Sequence, residues 1–129
     1  MSTTMHAVQI PQHGDSSVLA WIPVPKPNPK PDQVLVKVAY AGVNFIDTYQ
    51  RSGLYPQSMP FIVGREGSGE IVEVGSKAQG GFKVGDRVAF MAPGSYAEYD
   101  AVPTLTVAKL PDTVSLEDVR HPFFFCSWE

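Results

Sequence analysis

Ala41-Gly-Val-Asn-Phe-Ile-Asp-Thr-Tyr-Gln-Arg-Ser-Gly-Leu-Tyr-Pro56, followed closely by Gly64-Arg-Glu-Gly-Ser-Gly69, is the part of this chain that constrains the fold most. Between Asn44 and Arg51 the apolar residues Phe45, Ile46 and Tyr49 suit a short helix, which Gly53 would end. Asn44 has the side chain to cap it. Around this helix the pattern changes to strands. Asp32 to Tyr40 places Val34, Val36 and Val38 on one face. Gly69 to Val74, Arg87 to Phe90 and Gly94 to Val102 read as further strands, with Gly85-Asp86 as a turn before the second of them.

Towards the N-terminus, Met5 to Ile10 is a plausible first strand, turned near Gly14-Asp15, and Val18 to Pro23 can pair back with it. From Pro23 to Pro31 proline occupies every second position. Such a run has fixed φ and few donors, so an extended, polyproline-like spacer is expected. Recognition by proline-binding modules needs prolines three apart, and these alternate by two. Towards the C-terminus, Leu110 to Val119 closes on a helix-start signal, with Ser115 as cap and Glu117 and Asp118 in the first turn. Pro122 and a run of large apolar residues follow, an abrupt change of composition at Arg120.

Many short strands, one or two short helices, 12 prolines and 11 glycines point to a mainly β fold, a small closed or partly closed β-barrel. A length of 129 residues with 43% apolar content suits one domain with a real core. A net charge of −3 offers no basic field for nucleic acid or anionic lipid. No apolar run approaches the roughly 18 residues of a membrane span, and the first residues lack the blocks of a signal peptide. The single Cys126 forms no internal disulfide and no multi-thiolate metal site. A cytoplasmic location is the expectation.

Five segments occur in order: Gly42-Val-Asn-Phe-Ile-Asp-Thr-Tyr49, Arg51-Ser-Gly-Leu-Tyr-Pro56, Gly64-Arg-Glu-Gly-Ser-Gly69, Phe82-Lys-Val-Gly-Asp-Arg-Val88 and Gly94-Ser-Tyr-Ala-Glu-Tyr99. Together they resemble the N-terminal half of the medium-chain dehydrogenase/reductases. Among these the chain is most similar to the zinc-independent NADPH:quinone oxidoreductases, the zeta-crystallin group. The resemblance implies a chaperonin-10-like (GroES-like), partly closed β-barrel over residues 1–119. In the family a Rossmann domain follows, with NADPH in the cleft between the two. No dinucleotide fingerprint occurs within these 129 residues. Residues 120–129 match no family pattern and are expected to be an atypical tail arising from truncation. Poor NADPH binding by the chain alone is expected, as is self-association through exposed apolar edges; the family is often homodimeric.

The resemblance also assigns a site. Zinc-dependent relatives carry cysteine where Asn44 stands and histidine where Arg65 stands. An amide is a poor zinc ligand and a guanidinium has no lone pair to give, so no zinc is expected. Asn44, Asp47, Tyr49 and Tyr55 are the candidate catalytic residues, and Asn44, Phe45, Ile46, Asp47, Thr48 and Tyr49 the candidate cofactor contacts. A quinone is already electron-poor, so the Asn44 amide and tyrosine hydroxyls could steady charge on its oxygen without a metal. Each has a plainer reading: Asn44 as a helix cap, Asp47 as a structural acid, the tyrosines as packing residues, Arg65 and Glu66 as structural polar contacts. Gly64, Gly67 and Gly69 have the wrong order for a Rossmann turn and are better read as allowing close backbone packing. The readings left open are a quinone reductase domain, a reductase of activated alkenes such as enals or enones, and a non-enzymatic β-barrel interaction module. The partner implied is a quinone or another small electrophile.

Overall fold

A computed structural model describes residues 3–120. Eight strands and one α-helix follow in order: β1 (Thr4–Ile10), β2 (Ala20–Pro25), β3 (Gln33–Ala41), α1 (Phe45–Ser52), β4 (Phe61–Ile62), β5 (Glu66–Val74), β6 (Arg87–Met91), β7 (Tyr99–Pro103) and β8 (Val107–Lys109). Short 3₁₀ turns cover Ser16–Val18, Thr104–Thr106 and Asp118–Arg120. The strands form two antiparallel sheets, one ordered β2-β1-β4 and the other β7-β3-β5-β6-β8.

Residues 96–98 join the sheets. On one side Val8 N–H donates to the Tyr96 carbonyl at 2.8 Å and Glu98 N–H to the His6 carbonyl at 3.0 Å. Tyr96 N–H also donates to the carbonyl of Val63, next to β4 on that side, and on the other side Val38 N–H of β3 donates to the Glu98 carbonyl, both at 2.9 Å. One short seam therefore satisfies backbone groups of both sheets, and the result is the expected mainly β, partly closed barrel. Val34, Val36, Ile71, Val88, Phe90 and Val102 fill the core of the larger sheet. A smaller cluster of Met5, Ala7, Val24 and Ala97 lies under the seam. Among the described residues no helix is long and apolar enough to cross a membrane.

Several boundaries differ from the sequence reading, each for a physical reason. β2 runs to Pro25, so the proline-rich spacer starts later than Pro23. β2 is an edge strand paired only with β1, and Pro23 and Pro25 share parity, so both can turn their donorless nitrogens to the open edge. β5 begins at Glu66 and encloses Gly67 and Gly69, although glycine is a poor strand former. Pairing on both flanks overrides that preference: Gly67 lies between Ala41 and Phe90, Gly69 between Val38 and Val88. A Cβ on Gly67 would stand 2.8 Å from the Tyr40 carbonyl oxygen, and one on Gly69 would overlap the Lys37 carbonyl oxygen. Of the stretch Gly94 to Val102, the ladder takes only Tyr99 onward; the preceding residues form the seam. β4 and β8 span two and three residues, too short for any periodicity. Ser115 caps as expected, accepting from Asp118 N–H at 3.1 Å. The tail, apart from its first residue, lies outside the described residues, and with it the expectation of self-association through its aromatic side chains.

Candidate active site

The site is organised by the first turn of α1. Asn44, in extended conformation, is the N-cap, and its N–H donates to Asp47 Oδ2 at 2.9 Å. Asp47 N–H donates back to the Asn44 carbonyl at 3.1 Å. A carboxylate in this position satisfies a backbone donor and suits the positive end of the helix. Gly53, with φ 88°, closes the other end in the left-handed conformation that glycine adopts without strain. The expected helix, cap and stop are all present.

Two further bonds tie this turn to the barrel. Tyr96 OH donates to Asp47 Oδ2 at 2.8 Å, and Asn44 Nδ2 donates to Glu66 Oε1 at 3.1 Å. Asp47 and Glu66 are each only 4% exposed. A continuous polar chain therefore runs from the seam (Tyr96) through the helix (Asp47, Asn44) to β5 (Glu66). Burial pushes the Tyr96 phenol well above its usual range, and the Asp47 carboxylate pushes it further, so it remains a donor. Gly42 makes room for Glu66: a Cβ there would lie 2.7 Å from the glutamate Cγ. Asp47 Oδ1 has no partner among the described residues. A cavity of about 210 Å³ opens beside it, walled by Leu19, Val43, Thr48, Val63 and Tyr96.

The outer face of α1 is different in kind. Phe45 is 80% exposed, Val43 77%, Tyr55 51% and Tyr49 37%. The Tyr49 and Tyr55 rings meet edge to face, centroids 5.5 Å apart, and Tyr55 N–H donates to the Tyr49 carbonyl at 3.1 Å. Thr48 Oγ1 donates to the Phe45 carbonyl at 2.6 Å, and Ile46 is half-buried. The candidate residues therefore separate into two groups. Asn44 and Asp47 join the buried polar chain, while Phe45, Tyr49 and Tyr55 form an exposed aromatic surface beside it. The sequence alone does not single out Tyr96 as a site residue, and it reads Glu66 only as a structural contact. The Gly94-Ser-Tyr96 segment carried the signal, but nothing in its local pattern links it to a helix 49 residues earlier. Among the described residues no three His, Cys, Asp or Glu side chains converge on one point.

Tyr96→Phe removes one of the two hydrogen bonds that hold Asp47 Oδ2. It is expected to lower stability by about 1–3 kcal/mol, seen as a lower urea midpoint with an unchanged slope. A midpoint equal to that of the parent would show that the phenol–carboxylate bond carries no stability.

Residues 30–112 match the family described as the alcohol dehydrogenase GroES-like domain. The chain belongs to that family. It is 46% identical over 111 residues to a probable quinone oxidoreductase of Schizosaccharomyces pombe, covering 85% of this chain and 34% of that protein. It is 43% identical over 89 residues to prostaglandin reductase-3 of Bos taurus, covering 67% of this chain and 24% of that one. The crystal structure of Escherichia coli quinone oxidoreductase complexed with NADPH superposes with a TM-score of 0.85 at 33% identity, over 93% of this chain and 37% of that chain. The GroES-like chain thus spans about a third of the length of the quinone oxidoreductases it matches.

Proposed function

We propose that this GroES-like chain forms the substrate-facing part of an NADPH-dependent quinone reductase that works without zinc. The observation that carries the reading is the braced amide of Asn44 at the edge of an exposed aromatic surface. The backbone N–H of Asn44 is fixed by Asp47 and its side chain by Glu66, so the amide is held in one orientation before any ligand arrives. Donors held in place stabilise developing charge better than mobile ones, because they need no reorganisation during the reaction. Nδ2 carries two hydrogens, and only one is needed for Glu66. The second is available to a quinone oxygen as it becomes a phenolate. Tyr49 and Tyr55, set edge to face, offer an aromatic corner and two hydroxyls for the ring to meet.

The exposed side of Phe45 to Tyr49 fits a planar nicotinamide; when bound, NADPH supplies the reducing equivalents. Asn44 and Glu66 do not suit zinc. The amide is a weak ligand already donating to the carboxylate, and Arg65, next in sequence to Glu66, has no lone pair. A cytoplasmic setting belongs to the same reading.

The test is a chimera in which residues 30–112 replace their counterpart in the E. coli quinone oxidoreductase. It is expected to reduce quinones with NADPH, and Asn44→Ala is expected to lower kcat about 10²-fold. A chimera indifferent to Asn44→Ala would remove the amide from the chemistry. By itself the chain is expected to bind NADPH more weakly than micromolar, checked by fluorescence titration. The likeness to prostaglandin reductase-3 favours a second reading, reduction of an activated alkene. A higher kcat/KM for enones than for quinones in the same chimera would decide for it.

A further inference from the structure

A cavity of about 390 Å³ lies away from α1, between β1, β2 and β4 of the smaller sheet and β7 of the larger. β1, β2 and β4 wall one side with Met5, Pro25, Phe61 and Ile62, and β7 walls the other with Tyr99 and Asp100. Its size is within the usual range for small-molecule sites. Its chemistry is one-sided. Four prolines (25, 27, 60 and 93) line it, and none has a backbone donor. Gln9 is the single lining side chain with N–H groups among the described residues.

Asp100 is the anomaly in this wall. It sits on the inward face of β7, opposite Val36 of the core strand and one parity step from buried Val102. Only 8% of it is exposed, and its Oδ2 has no hydrogen-bond partner among the described residues. Buried carboxylate oxygens are ordinarily paired or hydrogen-bonded, so with the Ala101 backbone N–H as the carboxyl's hydrogen-bond donor, the unpartnered Oδ2 beside a cavity marks an unmet demand for a second. Gly94 keeps the approach open: even a Cβ there would stand 3.8 Å from Asp100 Oδ1. Tyr99 already receives one cation on its ring face, the Lys26 ammonium 3.9 Å from the centroid.

We propose that this cavity is a binding site for a small organic ammonium with a flat apolar body, its nitrogen donating to the Asp100 carboxylate and its body lying against Phe61 and the prolines. Burial raises the Asp100 carboxyl to about 7, with a smaller opposing effect from the Ala101 backbone. An ammonium would reverse that shift, so binding strengthens as pH rises and the carboxyl ionises. The other titratable side chain lining the site is Tyr99 on β7, whose ring face is covered by Lys26. His6 on β1 is turned to Glu98 of the seam, 3.8 Å away, and β3 contributes Val36 opposite Asp100.

The probes are 2-phenylethylamine and its neutral counterpart 2-phenylethanol, titrated into the whole chain and followed by amide NMR shifts at pH 6 and pH 8. The amine is expected to bind about tenfold more tightly at pH 8 than at pH 6, and at least tenfold more tightly than the alcohol at pH 8. Asp100→Asn is expected to remove both differences. The second measurement needs no variant: the Asp100 carboxyl ¹³C titration should move to lower pH when the amine is present. Equal binding of amine and alcohol means an apolar groove without a carboxylate site, and overturns the proposal. So does absence of binding at the cavity, or a carboxyl titration unmoved by saturating amine.

Discussion

Gly69→Ala is expected to lower the stability of the fold by more than about 3 kcal/mol. β5 is the central strand of the larger sheet, paired to β3 on one side and β6 on the other. The new Cβ would enter the space held by the Lys37 carbonyl oxygen, a backbone atom of β3 that cannot rotate away. Relief requires β5 and β3 to separate, which disturbs the ladder that carries Val34, Val36 and Ile71 into the core. Overpacking costs about 1–3 kcal/mol where side chains can yield, and more where only backbone can move. Small domains hold roughly 5–15 kcal/mol in total, so such a loss is visible directly in the far-UV CD spectrum and the urea midpoint. The control is Gly85→Asn, at φ 92° with nothing within 4 Å of the added Cβ, which is expected to cost about 1 kcal/mol. A Gly69→Ala chain that melts with the parent would show that β3 and β5 are not held so close.

These glycines also show what could be read from residues alone. Their order argued against a nucleotide turn and for close packing, and the close approach to Tyr40 and Lys37 is what the barrel contains. Asn44, the helix after it and Gly53 were legible because caps and stops are local chemistry, written within ten residues. β3 was legible through its alternating valines. The hidden features are those made by distance. Tyr96 reaches Asp47 across 49 residues, and Asn44 reaches Glu66 across 22; no local window contains either bond. β4 and β8 were hidden for another reason: pairing with β1 and β6 defines them, not any pattern of their own. Asp100 was hidden too, because an aspartate in a strand ordinarily faces water, and only the fold turns this one inward.

The second large effect is expected at Asp100. Its carboxyl is raised by burial to about 7 from an ordinary value of 3.8, so the folded state holds a proton that the unfolded state has already released. Stability is therefore highest at low pH on this account and falls as pH rises from about 4 to about 7, levelling beyond. A shift of this size corresponds to about 4 kcal/mol at most between the two ends of that window. Asp100→Val, which continues the apolar face of β7, is expected to raise stability at pH 8 by a few kcal/mol and to abolish the slope. Asp15 and Asp86 act oppositely but at lower pH. Hydrogen bonds, to Ser17 for Asp15 and to Lys109 for Asp86, hold their carboxyls below the usual range, so their contribution is lost only as the solution becomes strongly acidic. Urea midpoints measured from pH 4 to pH 8 check the sign. A parent midpoint that climbs between pH 5 and pH 7 would mean that Asp100 ionises freely in the fold.

The three-residue stitch around Ala97 gives the molecule an economy of parts. The same backbone that fastens one sheet to the other also carries the phenol that steadies the helix cap. Loosening that stitch anywhere along its length would therefore unsettle that cap before the barrel came apart. In a panel of destabilised variants, loss of the fixed geometry around Asp47 should run ahead of loss of secondary structure, making the helix cap an early gauge of how well the barrel is closed.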